Sequence, residues 1–402
     1  MIRETRIDPA SLTGTRLTAL PPLSLYVHVP WCVRKCPYCD FNSHEWRPAG
    51  DATAAIPEDA YAQALVADLE AALPGIWGRR IETIFFGGGT PSLLSGAALE
   101  RILSAIRARV TVVPGAEITL EANPGTVETA RFEQFRDAGI TRLSVGVQSF
   151  DDAHLSRLGR IHGADDAHRA IEAALRAIGN VNLDLMYALP EQTLAQARAD
   201  IETAIASGVP HLSAYHLTLE PNTWFATHPP PLPDEDLASD IQDLVDQSLS
   251  AAGFDHYETS AHARPGARCA HNLNYWRFGD YLGIGAGAHS KLSFPGRIVR
   301  EARVRLPRDY MQRALEGRAV QSAQTVARAD LPGEYMMNAL RLTEGFEMAQ
   351  FTERTGLAAS SLALTLEQGE RRGLLTRDAV RVRPTELGRR FLNDLLALFL
   401  AR

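Results

Sequence analysis

Three of the chain's four cysteines, Cys32, Cys36 and Cys39, fall within the short stretch VPWCVRKCPYCDFN. Two residues separate Cys36 from Cys39, a spacing that suits thiol–disulfide exchange and equally lets two thiolates converge on one metal. On spacing alone a redox pair, a zinc knuckle and an iron–sulfur site all stay open. Zinc would take His28 or His44 as a further ligand, and sulfur exchange would work through Cys36-Pro37-Tyr38-Cys39. An iron–sulfur site would use all three thiolates. Three ligands leave one iron of a four-iron cluster open, free to chelate the amino and carboxylate groups of a methionine derivative.

Positioning three thiolates requires a rigid frame, and one is legible on both sides of them. From residue 24 to about 220, β-rich runs (SLYVHVP, IETIFFGG, EITLEAN, RLSVGVQ, NLDLMYA and HLSAYHLTL) alternate with stretches whose apolar residues recur at helical spacing. That alternation predicts a parallel sheet of βα units, here a three-quarter, TIM-like (β/α)6 barrel of the α/β class. Ligands of such sheets bind at the carboxyl ends of the strands. Those ends carry Gly87-Gly88-Gly89-Thr90-Pro91, Glu121, Gln148 and Asp184, with the cysteines just after the first strand.

Beyond the barrel, THPPPLPDEDL is proline-rich and acidic, as expected of a linker or lid at a domain edge. The expected organisation is an N-terminal arm over 1–23, the barrel over 24–228, an α+β extension over 229–324 and a small C-terminal module over 325–402. In the last of these, three helical stretches precede a short ribbon (LLTRDAVRVRP) and a closing helix (LGRRFLNDLLALFLA), an order similar to a winged helix.

The chain has 402 residues, 45% of them hydrophobic and 22% charged, which accommodates one large core and one or two smaller ones. A net charge of −7 argues against a general polyanion binder, so nucleic acid is not an expected partner. No apolar run is long enough to span a bilayer and the N-terminus lacks a signal-peptide core, which predicts a cytoplasmic protein and leaves only transient contact with a membrane surface open. Four cysteines, three of them bunched, do not make a secreted disulfide framework.

The CxxxCxxC spacing, with GGGTP after the second strand, resembles the radical S-adenosylmethionine (SAM) superfamily, in which an electron from a [4Fe-4S] cluster cleaves SAM. The resemblance extends to YVHVPWCVRKCPYCDF, FFGGGTPSLL, LEANPGT, RLSVGVQSF, LGRIH and HNLNYWRFGDYLGIGAGAHS, which together look like the oxygen-independent coproporphyrinogen III oxidase group. It implies cluster ligation by Cys32, Cys36 and Cys39, and SAM contacts from Tyr26, Tyr38, Gly88, Gly89, Thr90, Glu121, Gln148, Arg160 and Asp184. Read singly, Glu121 and Asp184 could be structural hydrogen-bonders and Arg160 a surface ion-pair member.

Oxidases of this group resemble CxxxCxxCxC, and Phe41 stands where their further cysteine falls. That departure is similar to the sister family of heme chaperones, HemW, as is HNLNYW at 271–276, which fits that family's heme-linked HNxxYW motif. The resemblance implies that His271, Asn272, Tyr275 and Trp276 meet heme, and that the partners are heme and apo-hemoprotein acceptors. Imidazole suits iron and flat aromatic faces suit a porphyrin, although aromatic pairs beside a histidine also serve as core packing. Cys269 is a second soft ligand or a small buried hydrophobe, and His256, His262 and His289 flank the same segment. Two rival functions follow from the same resemblance: coproporphyrinogen III dehydrogenation, and RNA modification with the C-terminal module gripping the substrate.

Overall fold

Alternation within each strand sorts the barrel's inside from its outside. In β1 (Leu23–Val29) the apolar Leu23, Leu25, Val27 and Val29 are buried in the main core, while Ser24 and Tyr26 face the other way, toward Thr83 and Phe85 of the neighbouring strand. The computed structural model describes residues 16–47, 55–126 and 129–400, so most of the expected N-terminal arm lies outside the described residues. After β1 come β2 (Arg80–Gly88), β3 (Thr111–Ala122), β4 (Arg142–Gln148), β5 (Val181–Tyr187) and β6 (His211–His216), all parallel to their neighbours. These are the six expected strands.

Helices α1 (Glu58–Ile76), α2 (Gly96–Arg107), α3 (Thr129–Ala138), α4 (Ala164–Ala177) and α5 (Leu194–Ala206) cover the outer face. Their starts are set locally: Ser95 accepts from Ala98 N ahead of α2, and Thr193 with Gln196 forms a capping box ahead of α5. In α4, Ala167, Ala170, Ile171 and Ala174 recur at helical spacing and are buried.

The sheet continues across residue 228. Helix α6 (Glu235–Ala251) leads to β7 (Asp255–Glu258) and β8 (Ala261–Ala263), which extend one edge antiparallel beside β6. After α7 (Ala270–Trp276), β9 (Asp280–Ile284) returns to the other edge and pairs parallel to β1, Leu282 opposite Leu25. A meander of β10 (His289–Phe294), β11 (Arg297–Arg303) and β12 (Val320–Thr325) completes a twelve-stranded sheet of order β12-β11-β10-β9-β1-β2-β3-β4-β5-β6-β8-β7. The extension is therefore built into the barrel's own sheet.

A buried ion pair holds this junction. Lys291 Nζ donates to Asp280 Oδ1 at 2.9 Å and Arg79 to Asp280 Oδ2 at 2.8 Å, with both Asp280 and Lys291 nearly solvent-free. Burial pushes the Asp280 carboxyl up, but Lys291 and Arg79 outweigh it and hold it below the ordinary carboxylate range.

Helices Leu331–Ala339, Met348–Thr355 and Ala363–Arg371 form the C-terminal module with a three-stranded sheet of Phe346–Glu347, Leu375–Arg377 and Arg381–Pro384. Its core takes in Phe278 and Ile298, which seats it on the extension. The expected closing helix is instead two short ones, Glu386–Arg390 and Leu392–Ala397, broken at Phe391 where the backbone leaves helical geometry at φ −109° and ψ 46°.

Candidate functional site

The loop after β1 carries the cysteines over the carboxyl rim of the barrel. It begins as a two-residue strand, Trp31–Cys32, paired in parallel with His44–Glu45, and Cys39 N donates to Cys36 O at 3.2 Å within the turn. Around it, His28 Nε2 meets Asn42 O at 2.9 Å, Lys35 Nζ donates to the carbonyls of Phe41 and Ser43, and Asn42 Nδ2 donates to Ala286 O and Arg305 O. The extension thus pins the cysteine loop.

Cys32 is buried, and Cys36 and Cys39 are half-buried. Burial pushes the Cys32 and Cys39 thiols up, the reverse of what a reactive exchange dithiol requires. Among the described residues the three sulfurs do not gather within 4.8 Å of one another. A single tetrahedral ion with bonds of about 2.3 Å to sulfur needs closer thiols, whereas a larger iron–sulfur core accepts a wider triangle.

Beside the cysteines, Gly88 and Gly89 let the backbone pass where no side chain could. A Cβ on Gly89 would lie 2.5 Å from Trp31 O, and Gly88 has φ +120° with the His28 ring 2.6 Å from its Cβ position. Gly89 N donates to Val29 O and Thr90 N to Trp31 O, both at 2.7 Å, which lashes the two loops together.

Across the lumen stand two carboxyls. Glu121 Oε2 accepts from Gly88 N at 3.1 Å, and burial followed by the nearby Asp184 pushes its pKa up to about 8. Asp184 is raised by burial while accepting from Ser144 Oγ at 2.8 Å and Asn182 Nδ2 at 2.9 Å. Gln148 ends β4 at φ 71°, and its amide nitrogen would lie 3.0 Å from a Cβ on Gly146, so the absent side chain there makes room for it.

Arg160 is enclosed rather than paired on the surface. Its Nη2 donates to Gly146 O at 2.7 Å, its Nη1 reaches Cys36 Sγ at 3.6 Å and Tyr38 OH at 3.5 Å, and its buried Nε has no partner. Tyr26 OH lies 3.1 Å from His28 Nδ1. The rim thus gathers the expected SAM residues around the cysteines. The site also holds residues not singled out from sequence: Lys35 and Asn42 of the cysteine loop, and His162, whose ring bridges Asn123 Oδ1 and Val147 O. Asn123 and His162 sit inside LEANPGT and LGRIH, so the signal was present in those runs.

The HNLNYW residues lie elsewhere, on α7 beneath the amino ends of the strands. Glu117 of β3 caps that helix, accepting from Ala270 N, His271 N and Cys269 Sγ. His271 is buried, its Nδ1 is 2.8 Å from Thr83 Oγ1, its ring is 5.1 Å from Phe85, and burial followed by Arg142 pushes its pKa down to about 3. Asn272 is half-buried, Tyr275 OH meets Tyr281 OH at 3.3 Å, and the Arg341 guanidinium lies 4.4 Å over Trp276, whose buried Nε1 has no partner. Thr83 and Gly88 are five residues apart on β2, about 16 Å at strand rise. The cysteine loop and α7 therefore lie toward opposite ends of the barrel, with Phe85, which stacks on Tyr26 and meets His271, between them. Cys269 is fully buried and its thiol is pushed up to about 12, His289 opens β10, and His256 and His262 lie on the far sheet edge.

Comparison with known proteins joins the two ends. Residues 26–204 match the family model described as "Radical SAM superfamily", and 326–391 match "HemN C-terminal domain". The chain is 50% identical over 387 residues to heme chaperone HemW of Escherichia coli (strain K12), covering 96% of this chain and all of that one. HemW of Haemophilus influenzae is 46% identical, with 95% of this chain and 98% of the relative covered. Among solved structures, coproporphyrinogen III oxidase (HemN) from Escherichia coli superposes with a TM-score of 0.81 at 23% identity, covering 98% of this chain and 94% of that chain, a likeness of fold.

Proposed function

Since the chain belongs to the HemW family of heme chaperones within the radical SAM superfamily, we propose that it binds heme and hands it to apo-hemoproteins, using a barrel rim that holds a [4Fe-4S] cluster and SAM. The observation that carries this reading is the 50% identity spread over nearly the whole chain to a heme chaperone. No helix among the described residues is long and apolar enough to cross a membrane.

At the rim, Cys32, Cys36 and Cys39 are the proposed cluster ligands. When bound, the cluster supplies a low-potential electron and an open iron for the methionine end of SAM. The chain's own residues do the rest. Gly88, Gly89 and Thr90 offer backbone to the methionine moiety, Glu121, Gln148 and Asp184 offer oxygens and an amide to ribose hydroxyls, and Arg160, with Nε unpaired, offers a donor to a carboxylate. Tyr26 and Tyr38 complete the wall. Phe41 stands 58% exposed on the cysteine loop and cannot give a further thiolate, in keeping with a carrier rather than an oxidase.

For heme, His271 is the residue proposed to meet the iron, and Asn272, Tyr275 and Trp276 would line the same site. A ring kept neutral by burial keeps a lone pair available for iron. The covering side chains must move for the porphyrin to arrive, which suits a cargo that must also leave. Anaerobic reconstitution, followed by heme titration, transfer to an apo-hemoprotein and a coproporphyrinogen III assay on one sample, tests the reading. Stoichiometric heme binding with transfer is expected; multiple turnovers of porphyrinogen without heme binding would replace it with the oxidase.

A further inference from the structure

The far edge of the sheet brings together three side chains that neither the rim nor α7 uses. In the β7–β8 pair, His262 stands opposite His256, and their rings stack with centroids 4.1 Å apart. Helix α6 lays Asp246 beside them, so that Asp246 Oδ1 is 3.6 Å from His256 Nδ1 and 3.5 Å from His262 Nε2. Among the described residues these are the three metal-ligating groups whose donor atoms all lie within 4.8 Å of one another.

From this cluster we infer a site for a divalent transition-metal ion such as zinc, held by Asp246, His256 and His262 with one position open to solvent. Donors about 2.0–2.1 Å from a tetrahedral ion are separated by roughly 3.4 Å, close to the two separations found here. Two imidazoles and one carboxylate form a borderline donor set that suits zinc better than calcium or magnesium, which favour all-oxygen cages. His262 is buried with its Nε2 turned toward Asp246, and its Nδ1 has no partner among the described residues. Asp246 and His256 are partly exposed, at 38% and 26% of their side chains, which gives an ion a path in and a water a place to bind.

Arg389 and Arg390 lie near enough to Asp246 to act on its charge. Arg390 is engaged by Asp243 at 2.6 Å and by Glu386 at 3.4 Å, and the Arg390–Asp243 pair ties the C-terminal module to α6. A bound ion would staple the last hairpin of the sheet to that helix, one residue-turn from this tie. The site would therefore stiffen the edge against which the module is anchored.

The test uses the full chain with its cluster reconstituted, so that the cysteines are occupied, and titrates Zn2+ against a chromogenic chelator. One Zn2+ per chain beyond the cluster is expected, with a rise in thermal midpoint. Asp246→Asn and His256→Ala, both partly exposed positions, should each weaken binding by more than the ~10–100-fold typical of losing a supporting partner, with the cluster absorbance unchanged. Co2+ should give the visible bands of a four-coordinate nitrogen–oxygen site. Absence of bound zinc, affinity unchanged in the Asp246→Asn/His256→Ala double variant, or a thiolate-to-Co2+ charge-transfer band would each overturn the assignment.

Discussion

Thr83 Oγ1 lies 2.8 Å from His271 Nδ1, and the same hydroxyl donates its one proton to Ser24 Oγ, also at 2.8 Å. The ring must then be the donor toward Thr83, which fixes its proton on Nδ1 and leaves the Nε2 lone pair free. Strand β2 thus sets the tautomer of the proposed heme ligand. His271→Ala should abolish heme binding or shift the Soret band, while Thr83→Val, which keeps the shape but not the acceptor, should weaken heme binding about tenfold and cost ~1–2 kcal/mol of stability. Unchanged spectra and affinity in both variants would make His271 a structural residue.

Iron should depend on three cysteines and not on the fourth. Cys39→Ser is expected to lose most cluster iron and its response to SAM. Cys269→Ser should keep both, because that thiol is buried at the amino end of the barrel against Glu117. Iron and sulfide analysis with EPR decides, and equal loss in the two variants would contradict the assignment.

Gly89→Ala places a methyl group against the Trp31 carbonyl, 2.5 Å from the Cβ position, where only backbone can give way. A loss of ~1–3 kcal/mol is expected, concentrated in the loops at the rim. Thermal unfolding should show a lowered midpoint together with reduced SAM affinity measured by calorimetry. A variant with wild-type SAM affinity would show that this loop does not contact the cofactor.

Glu121 gives the protein without bound SAM a pH dependence of definite sign. Its carboxyl ionises near 4.5 when free of the fold and near 8 within it, so the folded chain retains a proton between those values. The associated stability is complete below pH 4.5 and is lost as pH rises through 8. Glu121→Gln removes that loss. Unfolding free energies from urea titrations between pH 5 and 9 should fall for the wild type relative to the variant, by an amount on the order of a few kcal/mol at the alkaline end. Parallel curves would place the carboxylate in a more polar setting.

Asp280→Asn should be among the most destabilising single changes, because it leaves Lys291 buried without its counter-charge. About 3–5 kcal/mol is expected. Replacing both, as Asp280→Asn with Lys291→Met, should recover part of it, and chemical denaturation measures each. A mild single effect would mean that water already reaches the pair.

The six barrel strands were legible because short β-rich runs recur in register with the helical stretches between them. Gln148 was visible as a residue at a strand end and Arg160 only within the LGRIH run, and the geometry of Arg160 was not legible: it depends on a carbonyl fourteen positions earlier and on a cysteine loop 124 positions away. The segment Asp280–Ile284 carried no local sign that it would lie beside β1, since five residues show no period and the pairing spans most of the chain. The break at Phe391 was hidden for a related reason, as LGRRFLNDLLALFLA has helical spacing on both sides of it. Likewise, HNLNYW named a set of residues but gave no indication of which end of the barrel they would occupy.

The insertion of β9 beside β1 also has a consequence for how the chain comes off the ribosome. β1 is made among the first strands, yet its second edge is covered only when Ile284 has emerged, about 250 residues later, which at about 5–20 residues per second is roughly 13–50 s. Until then an apolar strand presents unpaired backbone on one side, the kind of edge that recruits other strands. Nascent chains stalled anywhere before residue 280 should therefore depend on holding factors more than the finished protein does, and the cysteine loop, which is pinned through Asn42 to Ala286 and Arg305, would reach its final form only after Arg305 has followed.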